Sequence, residues 1–199
     1  MNSSVALPRS DAKFDSVEDT LGIKISDLNL GWGTALTAHL EVGERISELG
    51  VYRAGDGLHA EEHLLEELEA YWDEYAEKEF ENTIVIKITR SPCGENSHNC
   101  SGQLAAFISD KKQEGWSVRL DLSVMTLHGG TSKKSRRPLN QGSYMGLKEL
   151  AVLDEVSLKA WDVLEILKEK TDMTEIEAEV GLTLERRIQE VKNVLGDLE

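Results

Sequence analysis

The sequence has few of the features that mark exported, membrane-spanning or nucleic-acid-coating proteins. Two cysteines in 199 residues are too few for a disulfide framework, and no apolar run approaches the about 20 residues that span a bilayer. Bases number 22 against 37 acidic residues, and the net charge of −15 argues against a protein that coats itself with nucleic acid. Residues 1–11 lack the charged start and apolar core of a secretion signal. The absence of these features predicts a soluble, cytoplasmic protein with no membrane partner.

The charge is distributed unevenly along the chain. The segment from Glu61 to Glu81 is strongly acidic, whereas the segment from Lys133 to Arg137 holds four bases and no acid. A globally acidic protein can bind a polyanion through such a local patch, although weakly and with strong salt dependence. The basic segment is therefore a candidate contact for nucleic acid, and its alternative is a solvated loop.

Hydrophobic periodicity predicts alternating strands and helices. Candidate strands at 34–42 and 46–52 precede a long helix over 59–80. Strands are then predicted at 83–89, 116–127 and 156–158, and helices at 104–112, 145–153, 160–170 and 174–198, the last interrupted at Gly181. Residues 128–144 are predicted to be a loop, long enough to suspect a function. This alternation is typical of an α/β layered domain with a mixed sheet.

The chain divides into three predicted parts: a polar tail (1–13), a main domain (14–172) and a C-terminal helical extension (173–199). The extension is expected to be dispensable for chemistry. Its apolar residues form one stripe, which must pack on the same domain or on another chain, so an oligomer formed through this helix is possible. The stripe consists of Ile176, Val180, Leu184, Ile188, Val191 and Leu195.

Two short motifs carry the chemistry. His59-Ala60-Glu61 begins one predicted helix, and Ser91-Pro92-Cys93, followed by Cys100, precedes another. Zinc binds imidazole and thiolate ligands, and catalytic zinc sites keep three protein ligands and a water molecule. His59, Cys93 and Cys100 supply three ligands and predict one zinc per chain. Glu61 lies near them but points elsewhere, as an acid/base group must, and H-x-E followed by P-C-x-x-C is the signature of zinc deaminases.

Three alternatives remain open at this point. Six residues separate the two cysteines instead of two, so His98 could replace one cysteine as a ligand. His59-Ala60-Glu61-Glu62-His63 also fits H-x-x-E-H, the inverted zincin motif, which is expected in a largely helical catalytic domain. In the third alternative, His59 only caps a helix and the cysteines are inert.

Over residues 34–161 the chain resembles the AID/APOBEC branch of the zinc-dependent cytidine deaminase superfamily. The matching segments are HAEEHLL, ITRSPC, GQLAAFI, WSVRLDLSVMTL, GLKEL and VSLKAW. The resemblance implies a cytidine-deaminase-like three-layer α/β/α fold with a mixed five-stranded sheet, here with an extra C-terminal helix. It implies hydrolytic deamination of cytosine to uracil in a polynucleotide, with single-stranded DNA favoured over RNA. The alternatives are a deaminase of free cytidine, deoxycytidine or nucleotides, and a non-catalytic zinc-stabilised interaction module.

The resemblance also implies where substrate would bind. Arg90 replaces the aromatic residue that precedes Ser-Pro-Cys in that branch, so it could contact phosphate or form a surface salt bridge. The 128–144 loop corresponds to the loop that reads the base flanking the target, and through it nucleic acid is the expected partner. The basic side chains of this loop could follow a phosphate backbone, and its aromatic rings could stack on nucleobases. The tryptophan of the Gly-Trp-Gly loop is a weaker candidate for stacking. The candidate substrate-binding residues are Trp32, Arg90, Ser91, His128, Lys133, Lys134, Arg136, Arg137 and Tyr144.

Overall fold

A computed structural model of the protein describes residues 34–94, 98–127, 141–165 and 178–198. The predicted N-terminal tail, Trp32 and the loop residues 128–140 lie outside these ranges. The strands are β1 (Ala35–Val42), β2 (Arg45–Arg53), β3 (Glu81–Ile88), β4 (Ser117–Val124) and β5 (Val156–Ala160). The helices of the described residues are α1 (Ala60–Tyr75), α2 (Cys100–Gln113), α3 (Gln141–Ala151) and α4 (Ala178–Gly196).

The five strands form one mixed sheet in the order β2-β1-β3-β4-β5. β1 pairs antiparallel with both β2 and β3, and its two-residue turn into β2 places Gly43 in the left-handed region, at φ +59°. β4 pairs parallel with β3 and with β5, so α2 and α3 are the crossover connections that parallel neighbours require. The predicted α/β class with a mixed five-stranded sheet is confirmed.

One hydrophobic core joins the sheet to a layer of helices. Alternate residues of the three central strands are buried on one face, as the period of two in a strand requires, and α1, α2 and α3 pack side by side against them. The Trp72 ring of α1 meets the rings of Phe107 and Trp116 edge to face, with centroids 5.3 and 5.8 Å apart. These contacts fix α1 against α2, the two helices that begin at the predicted zinc ligands.

Three predicted helix boundaries are wrong. α2 begins at Cys100 rather than at residue 104. α1 ends at Tyr75 rather than at residue 80, because the buried Asn82 side chain accepts a hydrogen bond from the backbone N–H of Glu77 and donates to its carbonyl, which fixes a non-helical turn. α3 begins at Gln141, so residues 141–144 are helical and Tyr144 lies on a helix instead of in the 128–144 loop.

The C-terminal helix packs on its own chain. It continues through Gly181 without the predicted interruption. Leu184, Ile188 and Val191 of the predicted stripe are buried, but Val194 is buried in place of the half-exposed Leu195. α4 contacts β5, and Val191 and Val194 belong to the same hydrophobic cluster as the sheet. No helix in the described ranges is long and apolar enough to cross a membrane.

Candidate metal centre

The predicted ligands lie together because their loops leave the sheet at the same end. The pairing register aligns the end of β2 with the start of β1, and aligns the start of β1 with the ends of β3 and β4. His59 follows β2 and is the residue before the first turn of α1, whereas Cys93 follows β3. Cys100 is the first residue of α2, after Asn99 in the left-handed conformation, at φ 42°.

The three side chains approach one another closely. The Nδ1 atom of His59 lies 3.2 Å from Sγ of Cys100 and 3.6 Å from Sγ of Cys93, and the two sulfur atoms are 3.4 Å apart. Ligands at the bond lengths usual for tetrahedral zinc lie about 3.6 Å (N to S) and about 3.8 Å (S to S) from each other. The donor types and spacing therefore fit a zinc ion held by His59, Cys93 and Cys100.

Hydrogen bonds hold the Cys93 loop in place. The backbone N–H of Ser91 donates to the carbonyl of Thr126 over 2.7 Å, and the Thr126 hydroxyl donates to the carbonyl of Thr89 over 2.7 Å. The buried Ser101 donates twice to the Cys93 carbonyl, from its N–H at 3.0 Å and from its hydroxyl at 3.1 Å. Both cysteine sulfurs are thus attached to a rigid frame at the end of the sheet.

Two glycines allow α3 to approach this frame. A Cβ atom at Gly94 would lie 2.6 Å from both the carbonyl oxygen of Gly142 and the backbone nitrogen of Gly146. A Cβ atom at Gly146 would lie 2.8 Å from the Ser101 hydroxyl oxygen. The backbone of α3 therefore packs directly on the residue that follows Cys93, and only glycine fits that contact.

The two thiols share the proton chemistry expected of a metal site. The hydrogen bond from the Cys100 thiol, with help from the Cys100 N–H and the His59 ring, lowers the pKa of Cys93 to about 5. The same hydrogen bond, together with burial and the neighbouring carboxylates, raises the pKa of Cys100. The two thiols therefore share a proton, and a bound cation would favour the deprotonated form of both.

Glu61 is a buried carboxyl group beside the ligands. Its side chain is 2 % exposed, it is within hydrogen-bonding reach of Cys100, and its Oε2 atom has no hydrogen-bond partner among the described residues. Burial raises the pKa of Glu61 to about 8. A carboxyl group that changes protonation near neutral pH and keeps one oxygen unoccupied is suited to general acid/base work.

Glu62, the next residue, has a different environment. Its Oε2 atom accepts a hydrogen bond of 2.7 Å from the backbone N–H of His59 and lies 2.7 Å from Nδ1 of His98. Its Oε1 atom accepts a hydrogen bond from the amide of Gln103 over 3.2 Å. Although burial acts in the opposite direction, these donors hold the pKa of Glu62 below its ordinary value. Glu62 is not among the predicted site residues except in the zincin alternative. The H-x-x-E spacing at the helix N-terminus is the sequence signal for its hydrogen bond to the His59 N–H.

The structure bears on both rival ligand sets. Among the residues it describes, His59 also belongs to an overlapping group with Glu62 and His98, but His63 belongs to neither group. The His63 ring instead faces the carbonyl of Gly55 and the carboxylate of Glu66. Glu62, which the inverted zincin motif would make catalytic, is occupied by the donors described above.

The structure describes three of the nine predicted substrate-binding residues. Arg90 and Ser91 follow β3 directly, Ser91 is buried, and burial lowers the pKa of Arg90. Tyr144 is half-buried on α3 against the hydrophobic core. Outside the described residues lie Trp32, His128, Lys133, Lys134, Arg136 and Arg137.

An open groove runs between α1 and α2 beside the centre. It has a volume of about 650 Å³ and an apolar floor that includes Leu65 and Phe107. Its polar lining is mostly acidic and consists of Glu62, Glu66, Glu69, Gln103 and Asp110. This face of the protein is unfavourable for a phosphate backbone.

No protein-family model matches the chain, and no curated protein matches its sequence. Its function must therefore be inferred from the fold and from the chemistry of the site.

Proposed function

We propose that the protein is a zinc-dependent deaminase of the cytidine deaminase superfamily that removes the amino group of cytosine by hydrolysis, which gives uracil and ammonia. The observation that carries the proposal is the convergence of His59, Cys93 and Cys100 around one point, with the buried carboxyl group of Glu61 beside them. The mixed five-stranded sheet under a layer of three helices is compatible with the three-layer fold of that superfamily.

The residues have separate tasks. Zinc, when bound by His59, Cys93 and Cys100, lowers the pKa of water and so supplies a nucleophile at neutral pH. Glu61 would accept one proton from this water and deliver it to the ring nitrogen as the new C–O bond forms. It would then accept the second proton, from the added hydroxyl group, and deliver it to the amino group, which leaves as ammonia when the C–N bond breaks. Both transfers need a pKa near neutrality, which burial provides, and an oxygen that no other group occupies.

The substrate we favour is cytosine in a polynucleotide, with single-stranded DNA preferred to RNA. The resemblance to the AID/APOBEC branch and the basic segment Lys133–Arg137 support this substrate class. In a protein with a net charge of −15, that segment is the strongest concentration of bases, so phosphate contacts are expected there.

Free cytidine, deoxycytidine or a nucleotide is the second candidate substrate. The acidic groove between α1 and α2 favours it, because a long polyanion that passes this side of the centre meets Glu66, Glu69 and Asp110. A nucleoside without a phosphate chain has no such repulsion.

The test is a deamination assay with zinc-loaded protein on single-stranded DNA and RNA oligonucleotides, read by sequencing, and on free cytidine, read by absorbance. We expect conversion of cytosine to uracil, and we expect Glu61→Gln to abolish it while the protein keeps its zinc. The matched control is Glu74→Gln, on the exposed side of α1, which should retain activity. If no substrate is converted although zinc is bound, the protein is a non-catalytic zinc-stabilised module.

A second variant separates the two substrate classes. Replacement of Lys133, Lys134, Arg136 and Arg137 by serine removes four positive charges. A polynucleotide deaminase should then lose oligonucleotide turnover at low substrate concentration and keep its turnover of free cytidine. Equal effects on both substrates would favour the free-nucleoside alternative.

A further inference from the structure

The side chain of His98 covers one face of the ligand His59. The two rings are stacked, with centroids 4.0 Å apart and planes inclined by 16°. His98 belongs to the six-residue segment between the cysteines, and Cys100 follows it by two positions. The segment between the cysteines therefore places a second imidazole beside the candidate metal centre.

His98 is itself held by the half-buried carboxylate of Glu62. Its Nδ1 atom lies 2.7 Å from Oε2 of Glu62, the atom that also accepts the N–H of His59. The side chain of Glu62 is only 13 % exposed, so this contact is sheltered from solvent. The side-chain amide of Gln103 joins the two residues, because it donates hydrogen bonds both to the carboxylate of Glu62 and to the backbone carbonyl of His98.

This arrangement differs from an ordinary surface ion pair. The carboxylate of Glu62 links the backbone of His59, the ring of His98 and the first turn of α2. Because the His98 ring is stacked on the His59 ring, the rotation of the His59 ring depends on the position of the residues just before Cys100. Groups that orient a ligand histidine from outside the coordination sphere strengthen metal binding, because the free ligands then lose less conformational freedom.

We propose that His98, Glu62 and Gln103 form a clamp that fixes the His59 ring toward the two sulfurs and so raises the metal affinity of the centre. They are positioning residues, not ligands: Nδ1 of His59 faces the cysteines, whereas Nδ1 of His98 is engaged by Glu62. The proposal depends on the metal centre proposed above and does not depend on deamination.

The test is zinc affinity, measured by competition with a chromophoric chelator. We expect His98→Ala to weaken zinc binding by about 10- to 100-fold and Gln103→Ala to weaken it toward the lower end of that range. The matched control is His63→Ala, which removes an imidazole from the exposed side of α1 and should leave the affinity unchanged. The cobalt-substituted His98→Ala protein should keep the thiolate absorption of the wild type, because both cysteines still bind.

Each contrary outcome has its own meaning. An unchanged zinc affinity in His98→Ala would overturn the clamp and leave the deaminase proposal standing. A changed number of ligands in the cobalt spectrum would show that His98 is a ligand. If the metal-free His98→Ala and metal-free wild-type proteins differ in melting temperature as much as the loaded forms do, the residue serves the fold and the clamp is again refuted. A wild-type protein that binds no metal would overturn both proposals.

Discussion

Glu61 illustrates how the position of a residue changes the chemical properties of its side chain. The N-terminal turn of α1 buries its carboxyl group beside Cys93 and Cys100, and burial makes the charged form costly. Glu62 carries the same side chain one residue further and is held ionised by three donors. Two adjacent glutamates thus differ in the direction of their pKa shifts, and only Glu61 is suited to move protons near neutral pH.

The burial of Glu61 predicts a pH dependence of stability in the metal-free protein. The carboxyl ionises near its ordinary pKa of 4.5 when unfolded and near 8 when folded. Between these values the folded state binds more protons than the unfolded state, so the free energy of unfolding falls as pH rises. Glu61→Gln has no carboxyl group at this position, so its free energy of unfolding should not show this fall. In urea unfolding with a chelator present, the wild type should lose stability relative to Glu61→Gln between pH 5 and pH 8, and a difference that does not vary with pH would contradict the account.

At the residue scale, the sequence predicted that His59, Cys93 and Cys100 lie together, with Glu61 beside them. It did not predict the contacts between Glu62, His98 and Gln103. His59, Glu61, Cys93 and Cys100 have fixed spacings along the chain that zinc chemistry makes recognisable. The contacts of Glu62 and Gln103 join residues about 40 positions apart, and they depend on how α1 and α2 pack. Such contacts have no signature in a single sequence.

At the scale of helices and strands, the sequence predicted the strands better than the ends of the helices. All five strands of the described sheet were predicted within a few residues, because β-branched and alternating apolar residues mark them. The ends of helices were predicted less well. α1 stops just before Glu77, whose backbone N–H and carbonyl are hydrogen-bonded by the side chain of Asn82. α3 begins near glycines that suggest a loop but allow a close backbone contact. A side-chain hydrogen bond in the first place and packing in the second prevail over local helix propensity.

The contact between α3 and the Cys93 loop leads to a prediction about Gly94. Gly94→Ala places a methyl group 2.6 Å from the α3 backbone, so either the helix or the loop must move. We expect a loss of about 1–3 kcal/mol in the free energy of unfolding, together with weaker zinc binding, because Cys93 precedes the strained position. The control is Gly55→Ala, whose added methyl group meets nothing within 4 Å. Equal zinc affinities and melting temperatures in the two variants would show that α3 does not support the centre.

At the scale of the whole molecule, α4 is part of the core. The segment was expected to be dispensable for chemistry, which stays a prediction, but Leu184, Ile188 and Val191 are buried, and Lys192 pairs with Asp162 at 2.6 Å. We expect Leu184→Ala to lower the free energy of unfolding by about 2–5 kcal/mol in urea denaturation. The exposed neighbour Glu185, replaced by alanine, should change it by less than about 0.5 kcal/mol. A Leu184→Ala protein as stable as that control would mean that α4 is only loosely attached.

The central claim is that the whole fold brings three ligands and one open position to the end of the sheet. Zinc-edge X-ray absorption on the purified, zinc-loaded protein tests it most directly, because sulfur and the lighter nitrogen and oxygen ligands scatter differently. We predict one zinc per chain with two sulfur ligands at about 2.3 Å and two lighter ligands at about 2.0–2.1 Å, one from His59 and one from water. A centre with a single sulfur ligand, or a protein that binds no zinc, would contradict the account.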